Sequence, residues 1–157
     1  MVWFADRGRY VVSPYVDLLS HLYAPQWRPT SLRDRVGVMV KLADEAQGSV
    51  GANGAVDKGL TLHDQAVLTE GIALVREIME RAGVSGPFVE GLVHGGHHGG
   101  TVPLTQEAVA SMRPAGLPDR LWVADLSLVP HSQGLPTMLT ASAIGLRVAR
   151  RLAETLE

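Results

Sequence analysis

Residues 61–83 read TLHDQAVLTEGIALVREIMERAG and give the clearest structural signal in the sequence. Apolar side chains recur every three or four positions, which is the spacing of one face of an α-helix. Thr61 is a suitable N-cap, and Asp64 follows three residues later as in a capping box. Gly83 suits the left-handed conformation that ends many helices. The stretch therefore predicts a helix over residues 62–82 whose apolar stripe faces the core.

The neighbouring sequence predicts strands on both sides of this helix. Residues 36–42 are rich in valine, as in a half-buried strand, and Asn53-Gly54 is a strong β-hairpin signal. Residues 36–56 thus predict antiparallel strands, the last two joined at Asn53-Gly54, and the apolar residues 88–93 predict another. We expect an α+β fold in which an antiparallel sheet, including residues 36–56 and 88–93, packs against the helix 62–82.

The C-terminal part of the chain predicts one more strand and one more helix. Residues 121–125 read LWVAD, an apolar run that ends in an acid. Pro136 suits the first position of a helix, which we expect to run to about Leu156. Small residues keep the first half of that helix slim, so another surface can approach it closely.

Composition limits the class of protein. The chain has 157 residues, of which 46% are hydrophobic, with a net charge of −2 and no cysteine. These values predict one globular domain over residues 1–157 and exclude disulfides; they make nucleic acid an unexpected partner. No apolar run reaches the length of a membrane helix, and Met1 to Tyr10 lacks the apolar core of a signal peptide. We expect a cytoplasmic protein that binds no membrane.

Residues 93–101, VHGGHHGGT, are the strongest candidate for a functional site. Glycine allows close backbone approach, and histidine titrates near neutral pH and binds metals. The glycines disfavour the helix that would align His94, His97 and His98 on one metal, and no carboxylate lies within the run. The run also lacks the G-x-G-x-x-G pattern of a dinucleotide loop. Acid–base chemistry by a histidine is the remaining interpretation.

Two motifs give the chain a resemblance to the glucose–methanol–choline (GMC) oxidoreductases, which are FAD-dependent alcohol and sugar oxidases and dehydrogenases. Residues 97–101, HHGGT, match the family's His-x-x-Gly-Thr. Residues 121–130, LWVADLSLVP, followed by 132–140, SQGLPTMLT, are similar to the family's strand, Asp-x-Ser, loop and final flavin-facing helix. The likeness extends over residues 30–157, with residues 30–120 similar to the substrate domain and 121–157 to the flavin-facing end.

The resemblance implies a role for each matching position. His97 matches the base that takes the hydroxyl proton of an alcohol or sugar-like substrate as hydride passes to the flavin, with His98 beside it. Asp125 matches the acid near the flavin ribityl chain; the less favoured alternative is that an acid at a strand end caps the next turn. The remaining positions expected to contact FAD are Gln133, Gly134, Leu135, Pro136 and Thr137, and no metal is implied.

The sequence departs from the family in two ways. The family places a second His or Asn near the start of the last helix, where this chain offers Gln133 or His131 instead. It also begins with a Rossmann-type FAD domain that this chain lacks. One hypothesis is therefore the small subunit or fragment of a split oxidoreductase, sharing FAD with a partner chain. The alternatives are a flavin-free fragment acting as a small-molecule cyclase, isomerase or binding module, and an accessory protein without chemistry.

Overall fold

A computed structural model describes residues 5–6, 8–16 and 20–156 of the chain. The predicted absence of a signal peptide over residues 1–10 concerns a stretch that lies partly outside these residues. The fold is α+β, as predicted, with two small antiparallel sheets and two long helices. It comprises two compact units. The first takes in Met1–Ala43 and Thr61–His94, and the second Asp44–Leu60 and Gly95–Glu157.

The sheet of the first unit has three antiparallel strands in the order β1 (Ala5–Asp6), β2 (Tyr10–Pro14) and β3 (Val38–Leu42). Tyr10 pairs with Leu42 and Val12 with Val40, so that these apolar side chains share one face of the sheet. Tyr10 and Val12 are almost completely buried. A short helix, α1 (Ser20–Tyr23), and two 3-10 turns (Pro25–Trp27 and Leu32–Asp34) connect β2 to β3.

The helix α2 (Leu62–Arg81) packs its apolar stripe on this sheet, which confirms the prediction for residues 62–82. The capping box is complete, since Thr61 Oγ1 accepts the Asp64 N–H (3.0 Å) and the Asp64 carboxylate accepts the Thr61 N–H (3.1 Å). Gly83 has φ of +78°, as expected where the helix ends. A Cβ on Gly71 would lie 2.5 Å from Val40 Cγ1, so this glycine sets how closely α2 approaches β3.

The second unit contains a hairpin, three-residue 3-10 turns and the C-terminal helix. The hairpin joins β4 (Ser49–Val50) to β5 (Val56–Asp57) at the predicted Asn53-Gly54 turn, where Gly54 has φ of +79°. The 3-10 turns are Glu107–Val109 and Leu126–Leu128, and the helix α3 is Met138–Glu154. Met112, Leu128 and Val148 form the core of this unit, with Trp122 and Ile144 packed around it.

The predicted single sheet over residues 36–56 and 88–93 is wrong in its pairing. β3 pairs with β2, whereas β4 and β5 form a separate two-stranded sheet. Residues 88–93 form no strand. Their polar and aromatic groups instead meet α2: the Arg76 guanidinium lies over the Phe88 ring at 4.9 Å and pairs with Glu90 at 3.5 Å. Residues 88–93 do not alternate strictly between apolar and polar side chains, so their sequence did not specify a strand to pair with.

The predicted C-terminal strand over residues 121–125 is also wrong. These residues lie in no ladder, and two of their side chains, Trp122 and Val123, pack on the core of the unit. The helix after Pro136 was predicted correctly, but it begins two residues later and ends at Glu154. Within the described part of the chain, no helix combines the length and the apolar character needed to span a bilayer.

Candidate functional site

The two motifs that carry the GMC resemblance are joined by backbone hydrogen bonds in the second unit. The N–H groups of Gly100, Val102 and Leu104 donate to the carbonyls of Leu126, Ser127 and Leu128 at 3.1, 3.1 and 2.9 Å. Alternate residues of the segment 100–104 thus bind successive carbonyls of a 3-10 turn. Leu128, which anchors the turn, is 1% exposed. The histidine run is therefore fixed at its C-terminal end to the Asp125 turn.

The four glycines of the run divide into two pairs with different surroundings. A Cβ on Gly99 would lie 2.7 Å from the Leu126 carbonyl oxygen, and one on Gly100 would lie 3.3 Å from that of Val129. These glycines permit close approach to the chain itself. Around Gly95 and Gly96, by contrast, no heavy atom of the described residues comes within 4 Å of an added Cβ. His97 and His98 lie between the two pairs and are exposed.

Asp125 begins the turn that holds the histidine run. Its carboxylate accepts the Ser127 N–H at 2.8 Å, so it is the N-cap of the Leu126–Leu128 turn. The hydrogen bond from the Ser127 backbone, followed by that from the Ser127 side chain, lowers the pKa of Asp125 below its usual value. The carboxylate is exposed and ionised at neutral pH. Of the two roles considered for Asp125, the structure contains the capping role.

The remaining predicted cofactor contacts surround the start of α3. Gly134 is buried and has φ of +63°, so it makes the bend before the helix. Gln133 Oε1 accepts a hydrogen bond from Thr140 Oγ1 at 2.8 Å. Leu135 and Pro136 are exposed, and Thr137 is the half-buried N-cap residue. Thr137 makes no side-chain capping hydrogen bond to the first turn of α3.

Sequence reasoning missed two residues of this arrangement. Thr140 holds the Gln133 side chain, and Ser127 supplies the N–H that fixes Asp125. Ser127 follows Asp125 by two residues, which is a signal for a local side-chain hydrogen bond, whereas Thr140 lies seven residues after Gln133 and gives no such signal. A metal is not indicated by the geometry: across residues 5–6, 8–16 and 20–156, no three His, Cys, Asp or Glu side chains are grouped to hold one.

Comparison with known proteins gives one informative relative. No protein-family model and no solved structure matches the chain significantly. The chain is 26% identical over 152 residues to the uncharacterized protein MJ1450 of Methanocaldococcus jannaschii. The match takes in 97% of this chain but 39% of the relative, so the chain spans about two fifths of the relative's length. The relative's name states no activity, and the comparison therefore bears on length alone.

Proposed function

We propose that this chain is the small subunit or fragment of a split FAD-dependent oxidoreductase of the GMC type, which oxidises a CH–OH group of an alcohol or sugar-like substrate. One observation carries the proposal. The HHGGT run and the Asp125 turn, which resemble two separate family motifs, are hydrogen-bonded to each other in one unit. A chance match of either motif would not require them to meet.

The residues around the start of α3 fit the ring system of a flavin. The first N–H groups of α3 receive no side-chain cap from Thr137, and they carry the positive end of the helix dipole. Gly134, Leu135, Pro136 and Thr137 would hold the pyrimidine edge of the ring beside these donors. The Asp125 carboxylate already accepts the Ser127 N–H, so it would accept hydrogen bonds from the ribityl hydroxyls only at its remaining acceptor sites. When bound, the flavin accepts the hydride of the substrate carbon.

The chain's own residues would move the proton and stabilise the charge. His97 accepts the hydroxyl proton of the substrate as neutral imidazole. The Gly100–Leu126 hydrogen bond and the tight Gly99 contact position the histidine segment against the turn that leads to α3. The α3 dipole stabilises the negative charge that accumulates at its N-terminus. His98 and Gln133, both exposed, would contact the substrate side.

A partner chain would supply the nucleotide-binding domain. The first turn of α3 exposes Met138 and Leu139 to 82% and 81%, and Leu146 on the same helix is 55% exposed. Exposed apolar clusters of this kind are typical of interaction surfaces. The chain also spans only about two fifths of its archaeal relative. The exposed apolar side chains support a heteromer in which the ADP half of FAD lies on the partner.

The proposal is tested by co-expressing the chain with the products of neighbouring genes and recording the visible spectrum of the purified complex. We expect a yellow heteromer that is bleached by an alcohol or sugar under anaerobic conditions. His97→Ala should retain the colour but lower the bleaching rate by about 10²- to 10⁴-fold, the usual contribution of a general base. His63→Ala, an exposed histidine on α2, is the matched control and should bleach normally.

One result would contradict this function, and another would contradict only the role of His97. A folded, colourless chain that finds no partner and does not bind added FAD would favour a flavin-free cyclase, isomerase or binding module. Normal bleaching by His97→Ala would retain the flavoprotein but remove His97 from the proton transfer.

A further inference from the structure

The turn of the β4–β5 hairpin carries the single asparagine of the chain, Asn53, directly before Gly54. The Gly54 N–H donates to the Gly51 carbonyl at 2.8 Å, and the Gly51 N–H donates to the Ala55 carbonyl at 2.7 Å. The Ala55 N–H donates to Asn53 Oδ1 at 3.1 Å, as in an Asx turn. The ring that this last hydrogen bond closes includes the Gly54 nitrogen. The Asn53 side chain is therefore folded back toward the peptide that follows it.

This arrangement brings an electrophilic carbon close to a nitrogen that can attack it. Attack of the Gly54 nitrogen on the side-chain amide carbon of Asn53 closes a five-membered ring, and such intramolecular steps are strongly favoured by proximity. The Ala55 N–H on Oδ1 stabilises the negative charge that this oxygen gains during the attack. Among the described residues other than its chain neighbours, no heavy atom lies within 4 Å of a Cβ built on Gly54. The peptide at Gly54 thus has open space in which to rotate.

The hairpin that holds the turn opens at low cost. Each of its strands has two residues, and all four strand residues are exposed. A two-stranded hairpin of this kind is marginally stable by itself. The turn therefore samples open conformations, in which the Gly54 N–H leaves the Gly51 carbonyl and turns toward the Asn53 side chain.

We propose that Asn53 is a deamidation site, at which the hairpin turn modifies itself. Hydroxide removes the Gly54 amide proton, and the nitrogen then forms a bond to the Asn53 amide carbon. The side-chain amino group takes a proton from water and leaves as ammonia. Water opens the resulting cyclic imide at either carbonyl, which gives an aspartyl or an isoaspartyl residue at position 53. This chemistry needs neither flavin nor partner, so it goes beyond the proposed function and is independent of it.

The two products have different consequences for the hairpin. Both carry a new carboxylate in place of the neutral amide. The aspartyl product keeps the normal backbone, and its carboxylate still accepts the Ala55 N–H. The isoaspartyl product adds one carbon to the backbone within the turn, so the register that pairs Val50 with Val56 is lost.

The test is to incubate the purified full chain in mildly alkaline buffer and to follow its tryptic peptide 42–58 by mass spectrometry. We expect an acidic species in which the mass change is that of NH₂ replaced by OH, and fragmentation should localise it to position 53. The rate should rise in proportion to the hydroxide concentration. Because the hairpin opens readily, the folded chain should react within about tenfold of the rate in urea.

The chain contains its own matched controls. Gln47-Gly48 lies in the same tryptic peptide, and Gln133-Gly134 precedes α3. Their side chains are one methylene longer and must close a six-membered ring, so they should remain unmodified. For the same reason, Asn53→Gln should react at least about tenfold more slowly than the wild type.

A second variant separates the effect of charge from that of the backbone. Asn53→Asp has the charge of the products and a normal backbone, so it should keep the cross-strand NMR contacts between Val50 and Val56. The isoaspartyl fraction, separated by chromatography, should lose them.

Three results would overturn the assignment of Asn53. These are modification at Gln47 or Gln133 instead, an unchanged rate in Asn53→Gln, and a rate in the folded chain more than about tenfold below that in urea. None of them bears on flavin binding. Conversely, a colourless chain without a partner would contradict the oxidoreductase function and leave the chemistry of Asn53 intact.

Discussion

The two long helices differ in how completely the chain caps their N-termini and covers their apolar side chains. The N-terminus of α2 is closed by the Thr61–Asp64 capping box, and Asp64 is 2% exposed. Its stripe is covered by the sheet of its own unit. The N-terminus of α3 has no side-chain cap among the described residues, and Met138 and Leu139 of its first turn lie in solvent. The chain itself caps α2 and covers its apolar stripe, whereas it covers only the inner face of α3.

This difference distinguishes a helix whose cap and apolar stripe are explained by folding from a helix whose first turn is left exposed. Val148 and Ile144 of α3 pack on the core of their unit, so the helix is a stable part of the fold. The exposure of Met138 and Leu139 in its first turn is not explained by that packing. In α2, by contrast, folding accounts for the cap, the stripe and the helical glycine. Substitutions at matched positions of the two helices should therefore have different consequences.

The largest contrast in stability is expected at the two helical glycines. Gly71→Ala would place its Cβ 2.5 Å from Val40 Cγ1 and 3.4 Å from the Tyr10 ring, so α2 or β3 must shift. We expect a loss of about 1–3 kcal/mol in the free energy of unfolding, the usual cost of overpacking. Gly145→Ala meets its nearest atom, the Ala124 oxygen, at 3.9 Å, and should gain about 0.5–1 kcal/mol from helix propensity. Urea denaturation of both variants measures the contrast.

Equal changes in the free energy of unfolding for Gly71→Ala and Gly145→Ala would contradict the proposed difference between α2 and α3. Destabilisation by Gly145→Ala in the isolated chain would mean that α3 is as tightly enclosed as α2. A stabilised Gly145→Ala chain that assembles poorly with the FAD-domain chain would show that the partner, and not the fold, requires the glycine.

The caps should give the next largest difference. Thr61→Ala removes the acceptor of the Asp64 N–H and should cost about 1 kcal/mol, within the range of 0.5–2 measured for N-caps. Thr137→Ala at the start of α3 removes no capping hydrogen bond and should change the free energy of unfolding by less than about 0.5 kcal/mol. Thermal or urea unfolding of the two variants provides the measurement. A loss at Thr137 as large as that at Thr61 would mean that α3 is capped in solution.

The elements that the sequence predicted well are those fixed by local chemistry. Thr61, Asp64 and Gly83 define α2 within one residue, and Asn53-Gly54 places the hairpin turn. The pairing of strands was predicted poorly because it depends on distant residues. Nothing local in residues 36–42 indicates that β2, more than twenty residues earlier, is the ladder partner. Residues 88–93 and 121–125 have the apolar content of strands but are held by side-chain packing.

The sequence could predict which segments form the candidate site, but it could not predict how these segments contact one another. The sequence alone suggested that residues 97–101 and 121–137 belong together, and the hydrogen bonds of Gly100, Val102 and Leu104 join them. It did not indicate which glycines face the chain and which face solvent. That division depends on the Leu126 and Val129 carbonyls, which a 3-10 turn presents to Gly99 and Gly100.

The smallest expected change in stability concerns the capped Leu126–Leu128 turn, which lies in the same unit as the uncapped α3. Asp125 caps the Leu126–Leu128 turn, and its pKa is lowered by the Ser127 N–H. A depressed folded pKa stabilises the protein above the unfolded pKa of about 3.9, and this contribution is lost as pH falls through the folded pKa. Asp125→Asn should therefore be less stable than the wild type at pH 7, by at most about 0.5 kcal/mol because solvent screens the exposed carboxylate. The urea midpoints of Asp125→Asn and the wild type, measured between pH 2.5 and 7, should converge at acid pH. A difference that stays constant or widens at acid pH would show that the charge on Asp125 does not stabilise the turn. The Leu126–Leu128 turn would then resemble the α3 N-terminus in having no electrostatic cap.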